Sequence, residues 1–177
     1  MTVLKIIGIV AILAIAVVLL LASGKPDTFR LERKVAIRAR PEKILPLIED
    51  LHAWKDWSPW EDLDPAMKKT FGGPEKGVGA VYSWEGNGKV GAGRMEITGI
   101  QDSSKVTVKL DFLRPFEAHN TTEFSLVPSG ETTEVTWAMS GPNKFVAKIM
   151  QVFCDMDKLV GKDFEKGLGR LKAASEK

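Results

Sequence analysis

Lys105-Val-Thr-Val-Lys-Leu-Asp-Phe-Leu113, Glu117-Ala-His-Asn-Thr-Thr-Glu-Phe-Ser-Leu-Val127 and Thr132-Thr-Glu-Val-Thr-Trp-Ala-Met-Ser140 follow one another with only short turn sequences between them. Each of them alternates. Val106, Val108, Leu110 and Phe112, then Phe124 and Leu126, then Val135, Trp137 and Met139 share one parity, and the other parity is mostly polar. A period of two sends successive side chains to opposite faces, so each stretch is a strand with one apolar face. A connection as short as Pro128-Ser129-Gly130-Glu131 joins antiparallel neighbours. Upstream, the same pattern recurs in Gly93–Ile100 (Met95, Ile97) and Val78–Trp84 (Val78, Ala80, Tyr82, Trp84), and Met67–Phe71 is a further strand-length segment. Asp102-Ser103-Ser104, Gly86-Asn87-Gly88 and Gly72-Gly73-Pro74 are the turns between them. These six strands predict an antiparallel meander, and Phe29 to Arg38 alternates as a further strand ahead of it.

A sheet with one apolar face must have that face covered. Phe145, Ile149, Val152, Phe153, Met156, Leu159, Val160, Phe164, Leu168 and Leu171 recur at spacings of three and four, which predicts one long amphipathic helix. Gly161, Gly167 and Gly169 each cost that helix about 1 kcal/mol relative to Ala, so they mark a bend or a close approach to the sheet. Between the first strand and the meander, Pro41 opens a helix with Ile44, Leu45, Leu47, Ile48 and Leu51, which Pro46 shortens or kinks, giving two short helices. Trp54, Trp57 and Trp60 around Ser58-Pro59 read as a plug at the end of the core, with a lid or a membrane-facing wedge as the alternative.

At the N-terminus, Ile6 to Ala22 is an unbroken run of apolar residues and one glycine between Lys5 and Ser23-Gly24-Lys25-Pro26. At about 1.5 Å per residue it nearly crosses a bilayer core. The organisation expected is an anchor over residues 1–24, spanning the membrane once through residues 6–22, and a ligand-binding domain over residues 25–177. The alternative for the first segment is a secretory signal, with Ala22-Ser23-Gly24 as a small-residue cleavage site. Lys25, Arg30, Arg33 and Lys34 favour a cytoplasmic domain, yet a domain behind a short tail can be translocated regardless of flanking charge. The side of the membrane is left open.

Several chemistries are excluded. Twenty-five Lys and Arg against 23 Asp and Glu give a net charge of +2, without the basic excess that a nucleic-acid partner needs. Cys154 is the one cysteine, so it forms no intrachain disulfide and reads as a small core residue. His52 and His119 are the only histidines and have no second ligand at metal-binding spacing. His119, with the parity of Glu117 and Glu123, is expected to be exposed. Gly86, Gly88 and Gly91 match a dinucleotide fingerprint in form only, because the chain continues as a strand and offers no helix N-terminus to a pyrophosphate. Asn120-Thr121-Thr122 is a glycosylation sequon inside a strand. No nucleophile–base arrangement assembles, so no catalytic residue, metal or cofactor is expected.

The order strand, short helices, six-strand meander, long helix resembles the helix-grip superfamily. That group includes START lipid-transfer domains, birch-pollen-allergen-like proteins and the bacterial polyketide cyclase/dehydrase-like (SRPBCC) proteins. The resemblance covers about residues 28–175. It is carried by Trp54 to Trp60, Val81-Tyr82-Ser83-Trp84-Glu85-Gly86, Thr136-Trp137, Asp155-Met156-Asp157-Lys158 and Gly161-Lys162-Asp163-Phe164-Glu165. It implies an α+β fold: a curved antiparallel sheet of about seven strands wrapped on a long C-terminal helix, with an apolar or amphipathic, lipid-like molecule held between them. Parity and resemblance together give Trp84, Met95, Phe112, Phe124, Trp137, Met139 and Phe153 as the lining. Asn120 and Thr122 are polar groups on that wall, and Asp157 is a carboxylate at the helix's apolar edge. Two other readings stand beside this one: a protein-interaction or chaperone-partner module on the same fold, and a cyclase- or dehydratase-type enzyme using Asp157 or His119.

Overall fold

The computed structural model describes residues 2–177; the side chain of Met156, counted above in the apolar stripe, lies outside what is described. The meander is present. β1 (Thr28–Ile37), β2 (Lys68–Gly72), β3 (Val81–Glu85), β4 (Ala92–Gln101), β5 (Lys105–Arg114), β6 (Ala118–Ser129) and β7 (Thr132–Pro142) form one sheet in the order β1-β7-β6-β5-β4-β3-β2. All pairings are antiparallel, with Phe124 opposite Trp137 and Val108 opposite Thr122. Register shifts in β4 at Ala92/Gly93 and Ile97/Gly99 add twist and help to curve the sheet.

One face carries the core: Ile97, Val106, Val108, Phe124, Leu126, Val135 and Trp137 are almost fully buried. Their cover comes from both sides of the meander in sequence. α2 (Pro41–Glu49) supplies Ile44, Leu45 and Ile48, and it continues through Pro46 rather than breaking there. Two 3-10 turns, Ala53–Asp56 and Pro59–Asp62, take the place of the second short helix. Trp54 and Trp57 are buried, their indole N–H groups donating to the carbonyls of Ile48 and Leu47 at 2.9 and 2.8 Å.

The long C-terminal helix is divided into α3 (Phe145–Phe153) and α4 (Met156–Ser175). Cys154 is extended, and the Asp155 carboxylate accepts the backbone N–H of Lys158 at 3.2 Å. A side chain that caps a new helix competes with continuation of the old one. α4 lies against β1 and the 3-10 turns. Phe164 stacks on Trp137 with ring centres 4.1 Å apart and 10° from parallel. Gly167 permits this approach, since a Cβ there would stand 2.7 Å from the Trp137 ring and 3.1 Å from Pro59. Gly161 faces the Arg33 guanidinium in the same way, whereas Gly169 faces open space.

α1 (Thr2–Ser23) is exposed along most of its length and is long and apolar enough to cross a membrane. Its C-terminal turns carry the half-buried Val18 and the buried Ala22, and the helix packs against α3.

The glycines of α4 therefore separate by sign. Gly169→Ala should stabilise the protein by about 0.5–1 kcal/mol through helix propensity alone. Gly167→Ala should destabilise it by about 1–3 kcal/mol, because the added methyl overpacks the indole. Urea unfolding of the detergent-solubilised full-length protein, followed by tryptophan fluorescence, checks both; equal shifts in one direction would refute the close-approach argument.

Candidate ligand-binding face

The strand register arranges the inner face in rows. Arg33, Trp137, Phe124 and Val106 form one, and Leu31, Met139, Thr122, Val108 and Ile97 the next. Phe29, Gly141, Asn120, Leu110, Met95 and Tyr82 follow, and Ala118, Phe112, Gly93 and Trp84 complete the series. The first row lies beneath the aromatic plug. Trp54 meets Phe124 edge-on at 5.7 Å, and Trp57 and Trp60 meet Trp137 at 5.4 and 5.6 Å. Phe124 and Trp137 are thereby core residues, and the space between mid-sheet and α4 is filled by indoles. Trp137 Nε1 is the one fully buried side-chain donor without a partner among the described residues.

The last two rows are different. Phe29, Leu110, Phe112 and Trp84 are only half-buried, and Met95, Met139 and Asn120 lie just behind them. Trp84 lies over Gly93, its N–H donating to Val90 at 3.0 Å, and meets Phe112 edge-on at 5.9 Å. The Asn120 side chain leans over Gly141, where a Cβ would collide with it. Its Nδ2 has only the Met139 sulfur, 3.9 Å away, as hydrogen-bond partner among the described residues. Sulfur is a weak acceptor, so this mostly buried amide keeps unused donor capacity.

Of the ten residues expected to line a site, Trp84, Met95, Phe112, Asn120 and Met139 come together in this patch, with Thr122 beside it and Phe124 and Trp137 deeper. Two do not join them. Phe153 is 71% exposed at the end of α3, because the helix breaks one residue later and the stripe loses its register with the sheet. Asp157 is exposed on α4, where it accepts from the Arg33 Nη2 at 2.9 Å. Arg33 has the inner parity of β1 and also reaches Glu165 at 2.8 Å through its Nε. The guanidinium holds the Asp157 carboxyl below its usual range, so Asp157 fastens α4 to β1. Cys154, expected in the core, is exposed. The sequence reading missed Leu110 and Phe29 as lining, although both have the inner parity, and missed the isolated strand glycines Gly93 and Gly141, which often mark close side-chain approach.

Two clefts of about 300 and 210 Å³ lie elsewhere, along the β2–β3 edge around Leu51, His52, Phe71 and Tyr82. There the Tyr82 hydroxyl donates to Glu61 at 3.0 Å, and Lys69 also pairs with Glu61. Burial, then the Glu61 charge, pushes the Tyr82 phenol above its ordinary range. On the outer face, His119 is exposed as expected, with Nδ1 2.7 Å from Asp111 and Nε2 3.1 Å from Glu117. Lys109 also reaches Asp111, at 2.9 Å. Burial raises the Asp111 carboxyl, but its bonds to His119 and Lys109 outweigh this and hold it below normal. Hydrogen bonds to Asp111 and Glu117 raise His119. Among the described residues no group of three His, Cys, Asp or Glu is placed to hold a metal ion.

A seven-stranded antiparallel sheet with a C-terminal helix packed on its inner face defines the helix-grip class of fold. The chain belongs to the family described as polyketide cyclase / dehydrase and lipid transport, whose model matches residues 28–176. Solved structures agree at the level of fold. The chain is similar to the Aha1 dimer from Colwellia psychrerythraea (19% identity, TM-score 0.59, 84% of this chain and 96% of that one). It is similar to ginseng major latex-like protein 151 from Panax ginseng (16%, 0.58, 84% and 97%). It also resembles the di-domain ARO/CYC BexL of the BE-7585A biosynthetic pathway (13%, 0.59, 89% of this chain and 53% of that one). The search of curated proteins gave no match.

The His119 cluster predicts a pH dependence. A histidine whose folded pKa is raised contributes stability that is fully present below its ordinary value of 6.5 and is lost as the pH rises through the folded value. The stability difference between wild type and His119→Gln should therefore narrow as the pH is raised past 6.5, and Asp111→Asn should lower the histidine's NMR titration midpoint. A midpoint at or below 6.5 in the wild type would contradict the pairing.

Proposed function

We propose that this protein is a membrane-tethered binding protein that holds an apolar or amphipathic, lipid-like small molecule against the Trp84–Met139 end of its inner sheet face. The observation that carries this reading is Asn120. A mostly buried amide on a wall of Met95, Leu110, Phe112 and Met139, whose Nδ2 has a thioether as its only partner among the described residues, is poorly satisfied unless something else bonds to it. A ligand with an apolar body and one polar group fits that wall. Ligand sites are mostly apolar surfaces with a few polar groups that fix orientation, and methionines adapt to irregular shapes. The family's association with lipid transport and an N-terminal helix long and apolar enough to span a bilayer support the same reading. Tethering beside a bilayer raises the effective concentration of molecules that partition into it. The exposure of His119 and the ion pairing of Asp157 to Arg33 favour binding over acid–base chemistry at either group.

The test uses the full chain held in an amphipol. Native mass spectrometry should show a stoichiometric lipid-like passenger. After delipidation, a brominated fatty acid should quench tryptophan fluorescence, with most of the effect lost in Trp84→Leu. Asn120→Leu should weaken the fatty acid about five- to tenfold, the worth of one hydrogen bond near 1–1.4 kcal/mol, while leaving a brominated alkane of equal length unaffected. A passenger-free protein whose tryptophans respond to neither probe would end this reading.

A further inference from the structure

α3 is amphipathic in the inverted sense. Its polar residues face inward: Lys148 is buried and its ammonium lies 2.6 Å from Asp27, while Gln151 exchanges hydrogen bonds with Asn143, which in turn donates to the Pro26 carbonyl at 2.9 Å. Four of its apolar residues, Phe145, Val146, Met150 and Phe153, lie on one outward arc of the helix and are exposed, while Ala147, Ile149 and Val152 are half-buried. In water this arrangement is unfavourable, because the apolar stripe of a surface helix belongs against a core. It is the arrangement expected where the surroundings are themselves apolar.

The register shows what else lies at this end of the sheet. Thr28 pairs with Pro142, Thr121 with Ser140, Phe112 with Ala118, and Ala92 with both Glu85 and Arg114. The exit of α1, the start of α3, the β5–β6 turn and the β3–β4 turn therefore share one end of the domain. The β5–β6 turn adds two more exposed apolar side chains, Leu113 and Phe116. α3 packs on α1, whose covered residues are Val18 and Ala22, within about 8 Å of the helix's exit at Ser23 by helical rise. An interfacial helix buries its apolar face to about 5–10 Å, the same depth. Lys25 follows the exit of α1 and the exposed Lys144 is the N-cap of α3, positions from which ammonium groups can reach lipid headgroups.

From these observations we infer that α3 and the tip of the β5–β6 turn are an interfacial membrane-docking surface. They seat the domain on the bilayer with Phe145, Val146, Met150, Phe153, Leu113 and Phe116 in the headgroup–acyl boundary. The inference rests on the tether reading and extends it. The half-buried rows at Trp84 and Phe112 run toward this same end, so a ligand leaves the bilayer and enters the protein without crossing water.

The experiment uses the full chain reconstituted in phosphatidylcholine–phosphatidylglycerol liposomes. An environment-sensitive fluorophore is attached at single cysteines placed in Cys154→Ser: Val146→Cys, Phe116→Cys, Ile12→Cys in mid-α1, and Ser129→Cys at the opposite end of the sheet. All replace exposed residues, so folding is not at risk. Positions 146 and 116 should be blue-shifted and lose most of their emission to lipids bearing a nitroxide near the glycerol, and less to lipids bearing it near the chain end. Position 12 should show the reverse preference, and position 129 neither effect. Quenching at 12 without quenching at 146 and 116 would overturn the docking surface and leave the tether standing; a second copy seated on this face gives that same result. Absence of quenching at 12 would overturn the tether and the docking surface together.

Discussion

The stacking of Trp137 on Phe164 decides how this molecule is divided. Trp137 is the point at which the sheet, α4 and the two 3-10 turns meet: Phe164 lies flat on one side of the indole, Phe124 is stacked 5.0 Å away, and Trp54, Trp57 and Trp60 approach edge-on. Offset and edge-to-face contacts between aromatic rings add to the burial of their large surfaces. Gathering five rings around the sixth fills one half of the sheet's inner face with side chains. The other half lacks that cluster: Tyr82, Met95 and Met139 are buried in it, while Phe29, Trp84, Leu110 and Phe112 stay half-buried.

Polarity is distributed with the same logic on a smaller scale. Arg33 occupies an inner-face position of β1 and is tolerated there because Asp157 and Glu165 on α4 meet its guanidinium, with Gly161 leaving room. Lys148 is buried on α3 and reaches back to Asp27. Both cations connect an element that follows the sheet to one that precedes or opens it. Each adds a directional link to helices held mainly by their apolar contacts; because the carboxylate partners face solvent, the links are modest in strength.

Much of this was legible in the alternation of the strands, because a period of two leaves few options once one face is apolar. The seven strands, the order of the six in the meander and the inward residues from Met95 to Met139 followed from parity and short turns; the pairing of β1 with β7 did not, and Val78, read as inward, is exposed ahead of β3. The C-terminal region was less legible for a specific reason. Periodicity identifies which face of a helix is apolar but not what that face meets, so Phe145 and Phe153 read as core cover when the structure turns them outward and leaves Ile149 and Val152 half-buried. The break at Cys154–Asp155 was also hard to foresee, as Asp155 caps only if the chain is already extended at the residue before it. Asp157 reads from sequence as a carboxylate at the apolar edge of the helix because its neighbours are apolar; its partner Arg33, distant in sequence, is not visible from that pattern. Asn120 was visible as a polar residue with inner parity, but its weak pairing to Met139 depends on Gly141 across the strand pair.

The linker from Gly24 to Asp27 is short, and it is held at both of its last residues: Asn143 binds the Pro26 carbonyl and Lys148 binds Asp27. A backbone hydrogen bond from Asn143 to the Asp27 carbonyl, at 2.7 Å, adds a third hold. With α3 packed on α1 as well, the N-terminal helix is a stalk rather than a leash. These holds resist swivelling at the junction, so a tilt or axial rotation of the helix is passed on to the domain. The attitude of the sheet toward its surroundings is then coupled to whatever aligns one apolar helix, and reorientation of the domain toward a partner has to carry that helix with it.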